Sequence, residues 1–291
     1  MSNSAKELVC TIDDIVSLPG AFVRINAMLN EPNCSMAEIA DVISKDPGLT
    51  IRILRLANSP VYGISKEIDS VHKAINIIGT EKVRDIALAT SAVDTFEGIP
   101  NDLVSMEDFW MHSIFCAIIS KHLATEAKLK NPDGLFVAGL LHDIGQLVLF
   151  KALPELSHKS LEYVLDDTED KSLSVVEQEF IGFDHATVGA ELAEHWQLTP
   201  MLIEVIRSHH DLTRAESYLQ ESAIVKIANS IAVMAELDST NIDETDAAPI
   251  TENDWESAHL DTAIADEIME QAVQVAHDNF KEISKLLMPA H

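Results

Sequence analysis

Gly139-Leu140-Leu141-His142-Asp143-Ile144-Gly145-Gln146-Leu147-Val148-Leu149 sets an imidazole beside a carboxylate in the middle of an otherwise apolar run. The surrounding stretch, Leu135 to Phe150, reads as one apolar helix opened by the turn Asn131-Pro132-Asp133-Gly134. A helix that is apolar all round belongs in the interior. Burying a His-Asp pair there without partners costs several kcal/mol. Something must satisfy the pair: a divalent cation, or hydrogen bonds from neighbouring helices.

Suitable groups lie on other helical segments. His112 follows Asp108 by four residues, which puts both on one helical face. His185 opens DHATVGAELAEHW, and His209-His210 closes MLIEVIRSHHD. Four segments can thus aim nitrogen and oxygen ligands at one point in a bundle, the way bundles build metal sites. Imidazole and carboxylate together suit Fe, Mn, Zn or Ni. A single buried histidine is usually a satisfied core residue, and His72, His122, His158, His195, His259 and His277 are read that way. His-His at a helix C-terminus also has a plain electrostatic reading. The ordered set is harder to assign to chance.

Outward from the centre, helix punctuation is dense and strand alternation rare. Ser35-Met36-Ala37-Glu38 is a capping box for a helix through Ile43. Asp46-Pro47 opens another helix with Leu49, Ile53, Leu56 and Ala57 on one face. Arg52 and Arg55 on it are read as part of a packing helix, and Asn58-Ser59-Pro60 as its end. Ser70 to Ile78 is stopped by Gly79, and Ser105 to Asp108 opens a long helix to about Leu129. Further helices are expected near 153–168, 172–181, 186–195, 200–209 with Thr199 as cap, 220–236 and 264–287. The acidic stretch 238–261 is read as a linker or loop.

At 291 residues the chain can bury a substantial core, and its 47% hydrophobic content excludes disorder as the main state. The net charge of −28 argues against a nucleic-acid partner, because phosphates reward Lys and Arg. The first residues lack a signal-peptide pattern, and no apolar run nears the roughly 20 residues needed to cross a bilayer. The expectation is a cytoplasmic protein with no membrane partner. Cys10, Cys34 and Cys116 are expected to be small apolar fillers in a reducing compartment, not a disulfide framework.

Over residues 12–212 the sequence resembles the HDOD family of the HD superfamily of metal-dependent phosphohydrolases. The resemblance rests on Leu18-Pro19, the run from Asp46 to Ser59, the segment Ala74-Ile75 to Gly79, Phe109-Trp110-Met111-His112-Ser113 and GLLHDIGQLVL at 139–149. It implies an all-α, multi-helix HD-superfamily bundle with an N-terminal helical subdomain at 12–100, an HD-like core at 101–212 and C-terminal helices at 213–291. It also implies a role in bacterial signal transduction and a signalling partner protein.

The related HD-GYP branch hydrolyses a cyclic dinucleotide, and its ligand pattern implies one or two divalent metals here. They would be held by His112, His142, Asp143, His185, His209 and His210, with Asp108 in the place of a Glu and Asn229 in the place of the last Asp. Asp143 would be the catalytic carboxylate if the chain is active. Three departures weaken catalysis. Gln146 stands where the hydrolytic branch has a phosphate-holding Lys, the loop after His210 lacks a GYP-like element, and Asn229 is uncharged. The first expectation is therefore a regulatory module that acts through a partner or a small phosphate-containing ligand. The second is a metal-dependent phosphohydrolase.

Overall fold

The computed structural model describes residues 4–12, 17–29, 31, 34–64, 67–96, 104–165, 171–237 and 249–288, and the regular structure among them is helical throughout. At the centre lie α7 (Met106–Glu126) and α8 (Pro132–Leu141), joined by a tight turn. They cross so closely that a Cβ on Gly139 would fall 2.8 Å from the Cys116 carbonyl oxygen and 2.9 Å from Ala117 Cα. Only a glycine permits that approach. Ser105 caps α7 by accepting from the Asp108 amide, and Asn131 caps α8 by accepting from Gly134.

The expected single helix over 135–150 is two. α8 ends at Leu141, and α9 (Ile144–Ala152) begins after His142 and Asp143. Asp143 takes φ −96°, ψ 9°, the bridge region common at turns and active sites. The apolar periodicity is continuous across this joint, so the sequence shows no break. Contrary to the expectation that no apolar run nears the length of a membrane span, the stretch 132–152 is long and apolar enough by length and composition, but it is mostly buried inside the fold.

From α9 the chain continues through α10 (Pro154–Leu165) and α11 (Leu173–Phe180) to α12 (His185–His195) and α13 (Pro200–Ser208). α9 and α12 meet backbone to backbone. A side chain on Gly145 would collide with the His185 carbonyl, and one on Gly189 would press Ile206.

The N-terminal part comprises α1 (Ala5–Thr11), α2 (Gly20–Leu29), α3 (Met36–Ser44), α4 (Pro47–Ala57), α5 (Val71–Ile78) and α6 (Thr80–Thr95). The capping box at Ser35–Glu38 is complete in both directions, and Asp46 caps α4 through the Leu49 amide. Arg52 pairs with Asp94 at 2.7 Å, so it ties α4 to α6. Asn58 ends α4 and exchanges two 2.7 Å hydrogen bonds with the backbone of Ile68. α6 packs on α8 and α1 on α12, which joins this part to the centre.

C-terminally, α14 (Leu219–Leu237) and α16 (Ala265–Leu287) both lie on α7. Phe280 stacks on Phe115 with ring centroids 4.7 Å apart. The expected linker over 238–261 is partly helical: α15 (Glu252–Ser257) starts at a Thr251–Asp254 capping box, buries Trp255 and is tied by Asp254 to Lys226 at 2.8 Å. Residues 238–248 lie outside the described residues. The cysteines also differ from expectation. Cys116 is a buried filler, but Cys34 is only half-buried and Cys10 is exposed.

Candidate metal centre

The break after Leu141 aims His142 and Asp143 inward, where both are buried. α7 brings His112 from one side. The start of α12 brings His185, and the end of α13 brings His209 and His210. All five imidazoles gather around the one carboxylate, in two groups of mutually close ligand atoms: His112, His142 and Asp143, and Asp143, His185, His209 and His210.

The two carboxylate oxygens face different partners. Asp143 Oδ2 lies 3.1 Å from His142 Nε2 and 3.9 Å from His112 Nε2. Oδ1 lies 3.3 Å from Nε2 of both His185 and His209. His185 Nε2 and His210 Nε2 approach to 2.8 Å, so a proton or a cation must separate them.

The other ring nitrogens fix what Nε2 can do. His142 Nδ1–H donates to the Gly139 carbonyl and His209 Nδ1–H to the Ile206 carbonyl, each at 2.8 Å. His185 Nδ1–H donates to Glu177 Oε2 at 2.6 Å. In neutral rings these bonds leave Nε2 as a lone pair turned towards a carboxylate that also only accepts. His142 Nε2, His209 Nε2 and Asp143 Oδ1 are buried and make no hydrogen bond. Converging lone pairs of this kind repel unless a positive charge sits among them. Histidines whose outer nitrogen is fixed by a carbonyl or carboxylate are also the usual form of metal-ligating imidazoles. The residues present therefore fit a divalent metal.

Protons can supply the charge in part. Burial alone would push the His142 imidazolium down, yet the adjacent Asp143 carboxylate holds it well above the ordinary histidine value. His185 is likewise raised against its burial, by Glu177 and Asp143. Burial works to raise Asp143, but His142 and the surrounding rings hold it well below the carboxylate range. Burial and the neighbouring His210 take His209 down to about 3.

Asp108 is hydrogen-bonded to Ser105 Oγ at 2.6 Å in the cap of α7 and belongs to neither group. Asn229 is on α14, with its Oδ1 buried and without a hydrogen bond. Gln146 is buried in the first turn of α9, its backbone N–H donating to the Asp143 carbonyl at 2.9 Å. Glu177 is the residue that sequence reasoning missed. It is one of two glutamates in SVVEQEF, and its distance from His185 suggests no contact until the loop 181–184 folds back.

That loop is held from several sides. Gly182 takes φ 98°, Gln178 donates to its carbonyl at 2.7 Å, and Asp184 caps α12 through Thr187. Beyond His210, Arg214 donates to Asp184 at 2.8 Å, and Glu204 accepts from the amides of Glu216, Ser217 and Tyr218. The wall beside His185 and His210 is therefore an ordered hydrogen-bonded loop.

The HDOD domain family model matches residues 15–212. The chain is 26% identical over 227 residues to an uncharacterised protein of Treponema pallidum (strain Nichols), a match that covers 77% of this chain and 43% of that one. It is 32% identical over 121 residues to Ribonuclease Y of Borreliella burgdorferi, covering 42% of this chain and 18% of that protein. The chain thus spans less than half the length of these relatives.

Among solved structures, a "putative phosphohydrolase" of Shewanella amazonensis SB2B superimposes with a TM-score of 0.73 at 26% identity, over 98% of this chain and 99% of that one. An HDOD domain protein of Geobacter sulfurreducens gives the same score and identity over 98% and 97%. A second Shewanella amazonensis protein, a "putative metal-dependent phosphohydrolase", shares the fold at a TM-score of 0.53 and 18% identity, over 96% and 100%.

Proposed function

Because the chain belongs to the HDOD family, we propose that it is a regulatory protein of bacterial signal transduction that holds divalent metal and acts by docking a partner protein or a small phosphate-containing ligand. One observation supports the metal above all: the buried Nε2 atoms of His142 and His209 converge on the buried Asp143 carboxylate, and neither they nor Asp143 Oδ1 makes a hydrogen bond. His112, His142 and Asp143 Oδ2 would hold one ion, and Asp143 Oδ1 with His185, His209 and His210 a second. The donor set suits Fe, Mn, Zn or Ni.

Regulation is favoured over turnover because Gln146 carries no charge to hold a phosphate, and Arg214 is already engaged by Asp184 and by Asp211 at 3.6 Å. Metal analysis after anaerobic, chelator-free purification tests the reading. One to two equivalents are expected, and Asp143→Ala and His142→Ala should lose them. Native protein with no bound metal and no uptake on reconstitution would overturn it.

Hydrolysis of a phosphoester is the second reading. It is favoured by the carboxylate shared between two ligand groups and by the partial likeness to Ribonuclease Y. Metals held there would polarise a phosphoryl oxygen and acidify water. The chain's own part is to hold Asp143 between the imidazoles and to keep each ring turned by its Nδ1–H bond. An assay with Mn²⁺ or Fe²⁺ on a cyclic dinucleotide and a nucleotide monoester separates the readings. Background rates are expected, whereas turnover that disappears in Asp143→Ala would replace regulation by catalysis.

A further inference from the structure

We infer that Glu177 is a positioning residue of the metal centre, and that its carboxylate fixes His185 with Nδ1 protonated and Nε2 presented to the metal. The inference rests on the metal reading above and adds to it a residue from outside the ligand set. Glu177 lies on α11 and is 2% exposed. Its Oε2 accepts twice from the same histidine, from the backbone N–H at 2.7 Å and from the ring Nδ1–H at 2.6 Å. One oxygen therefore fixes both where α12 begins and how its first side chain is turned.

His142 and His209 have carbonyls on Nδ1, whereas His185 has a carboxylate. A carboxylate in this position makes the ring a stronger donor through Nε2 as well as orienting it. His185 Nε2 also lies 2.8 Å from His210 Nε2, so a wrong tautomer there would place an N–H against the metal position.

A purely structural role, capping the first amide of α12, makes a different prediction. Glu177→Gln keeps an oxygen acceptor for the amide and loses the charge, so a structural role would leave metal binding untouched. The positioning role predicts that Zn²⁺ affinity of the full chain, measured by competition with a chelating dye, falls about tenfold in Glu177→Gln and up to about 100-fold in Glu177→Ala. Thermal unfolding of the metal-free proteins checks that the variants are folded. Folded Glu177→Gln with wild-type Zn²⁺ affinity would overturn the inference.

Nitrogen-15 NMR of the wild type needs no variant. The zinc-loaded protein should show His185 as an Nδ1–H with slow exchange, and an Nε2–H would refute the assignment. If the wild type takes up no zinc, the metal reading fails on its own. The metal-free spectrum at alkaline pH then still reports which His185 nitrogen carries the proton.

Discussion

Asp143 accepts a different neighbourhood on each oxygen, and its ionisation is coupled to rings on three other helices. Against their burial, the Asp143 carboxylate beside His142, and Glu177 with Asp143 beside His185, raise both imidazoles above the ordinary histidine value and favour their protonated forms in the metal-free protein. A metal must displace those protons. Binding therefore releases protons and strengthens as the pH rises. Zn²⁺ or Mn²⁺ titrations at pH 6, 7 and 8 should show affinity climbing at each step, with proton release visible in buffers of different ionisation heat. Uptake that is flat across this range would mean the rings are already neutral. At this scale the sequence was informative about residue type: His112, His142, Asp143, His185, His209 and His210 stand out because buried polar groups in apolar helices demand partners. Glu177 did not stand out, since its neighbour Glu179 is a surface residue bound to Lys171 and nothing in the local pattern separates the two. Asp108 shows the converse. Its i, i+4 spacing from His112 is real, but capping Ser105 satisfies it locally.

Helix starts were legible where a side chain caps them, as at Ser35, Asp46, Ser70, Ser105 and Thr199. α6 has no such signal, because it starts at Gly79 with no side-chain cap, and the sequence reading did not place it. The break at His142–Asp143 was equally hidden, since it follows from what the two side chains must reach and not from any Gly or Pro. The cap of α12 carries a prediction of its own. Burial would raise Asp184, but bonds from Thr187, with His185 and Arg214 nearby, bring it down to about 2. A carboxylate lowered on folding stabilises above its unfolded value of about 3.9, and that stabilisation is lost as the pH falls through the folded one. Asp184→Ala should therefore cost about 1–2 kcal/mol at pH 7 in chemical denaturation, with the gap to wild type closing towards pH 2. A gap that persists at pH 2 would show that packing, not charge, is the origin.

The apolar core of the whole molecule is continuous from α1 to α16, while the family match ends at residue 212. α14 buries Ala223, Ile224, Val225, Ile227, Ala228, Ile231 and Ala232 almost completely, chiefly against α7 and also against α15, α13 and α8. The helices beyond the match thus back the two that carry His112 and the His-Asp pair. A chain ended after residue 212 would expose that surface, and it should lose cooperative thermal unfolding or aggregate. A soluble truncated chain with a sharp transition would show instead that 213–291 is an independent addition. The sequence placed α14 and α16 by their periodicity and read the stretch holding α15 as linker. It could not show that they pack on the centre, because tertiary contact leaves no mark at that sequence distance.

The crossing of α9 and α12 at Gly145 and Gly189 has a consequence for how such a centre can change. Where main chains touch, the separation of the two helices is set by backbone thickness, and any side chain placed in the crossing would have to force them apart. Relatives built on the same crossing can exchange the groups that line the pocket far more readily than they can rescale it. Variation would then fall on ligand identity and on the surrounding walls, inside a frame of constant size.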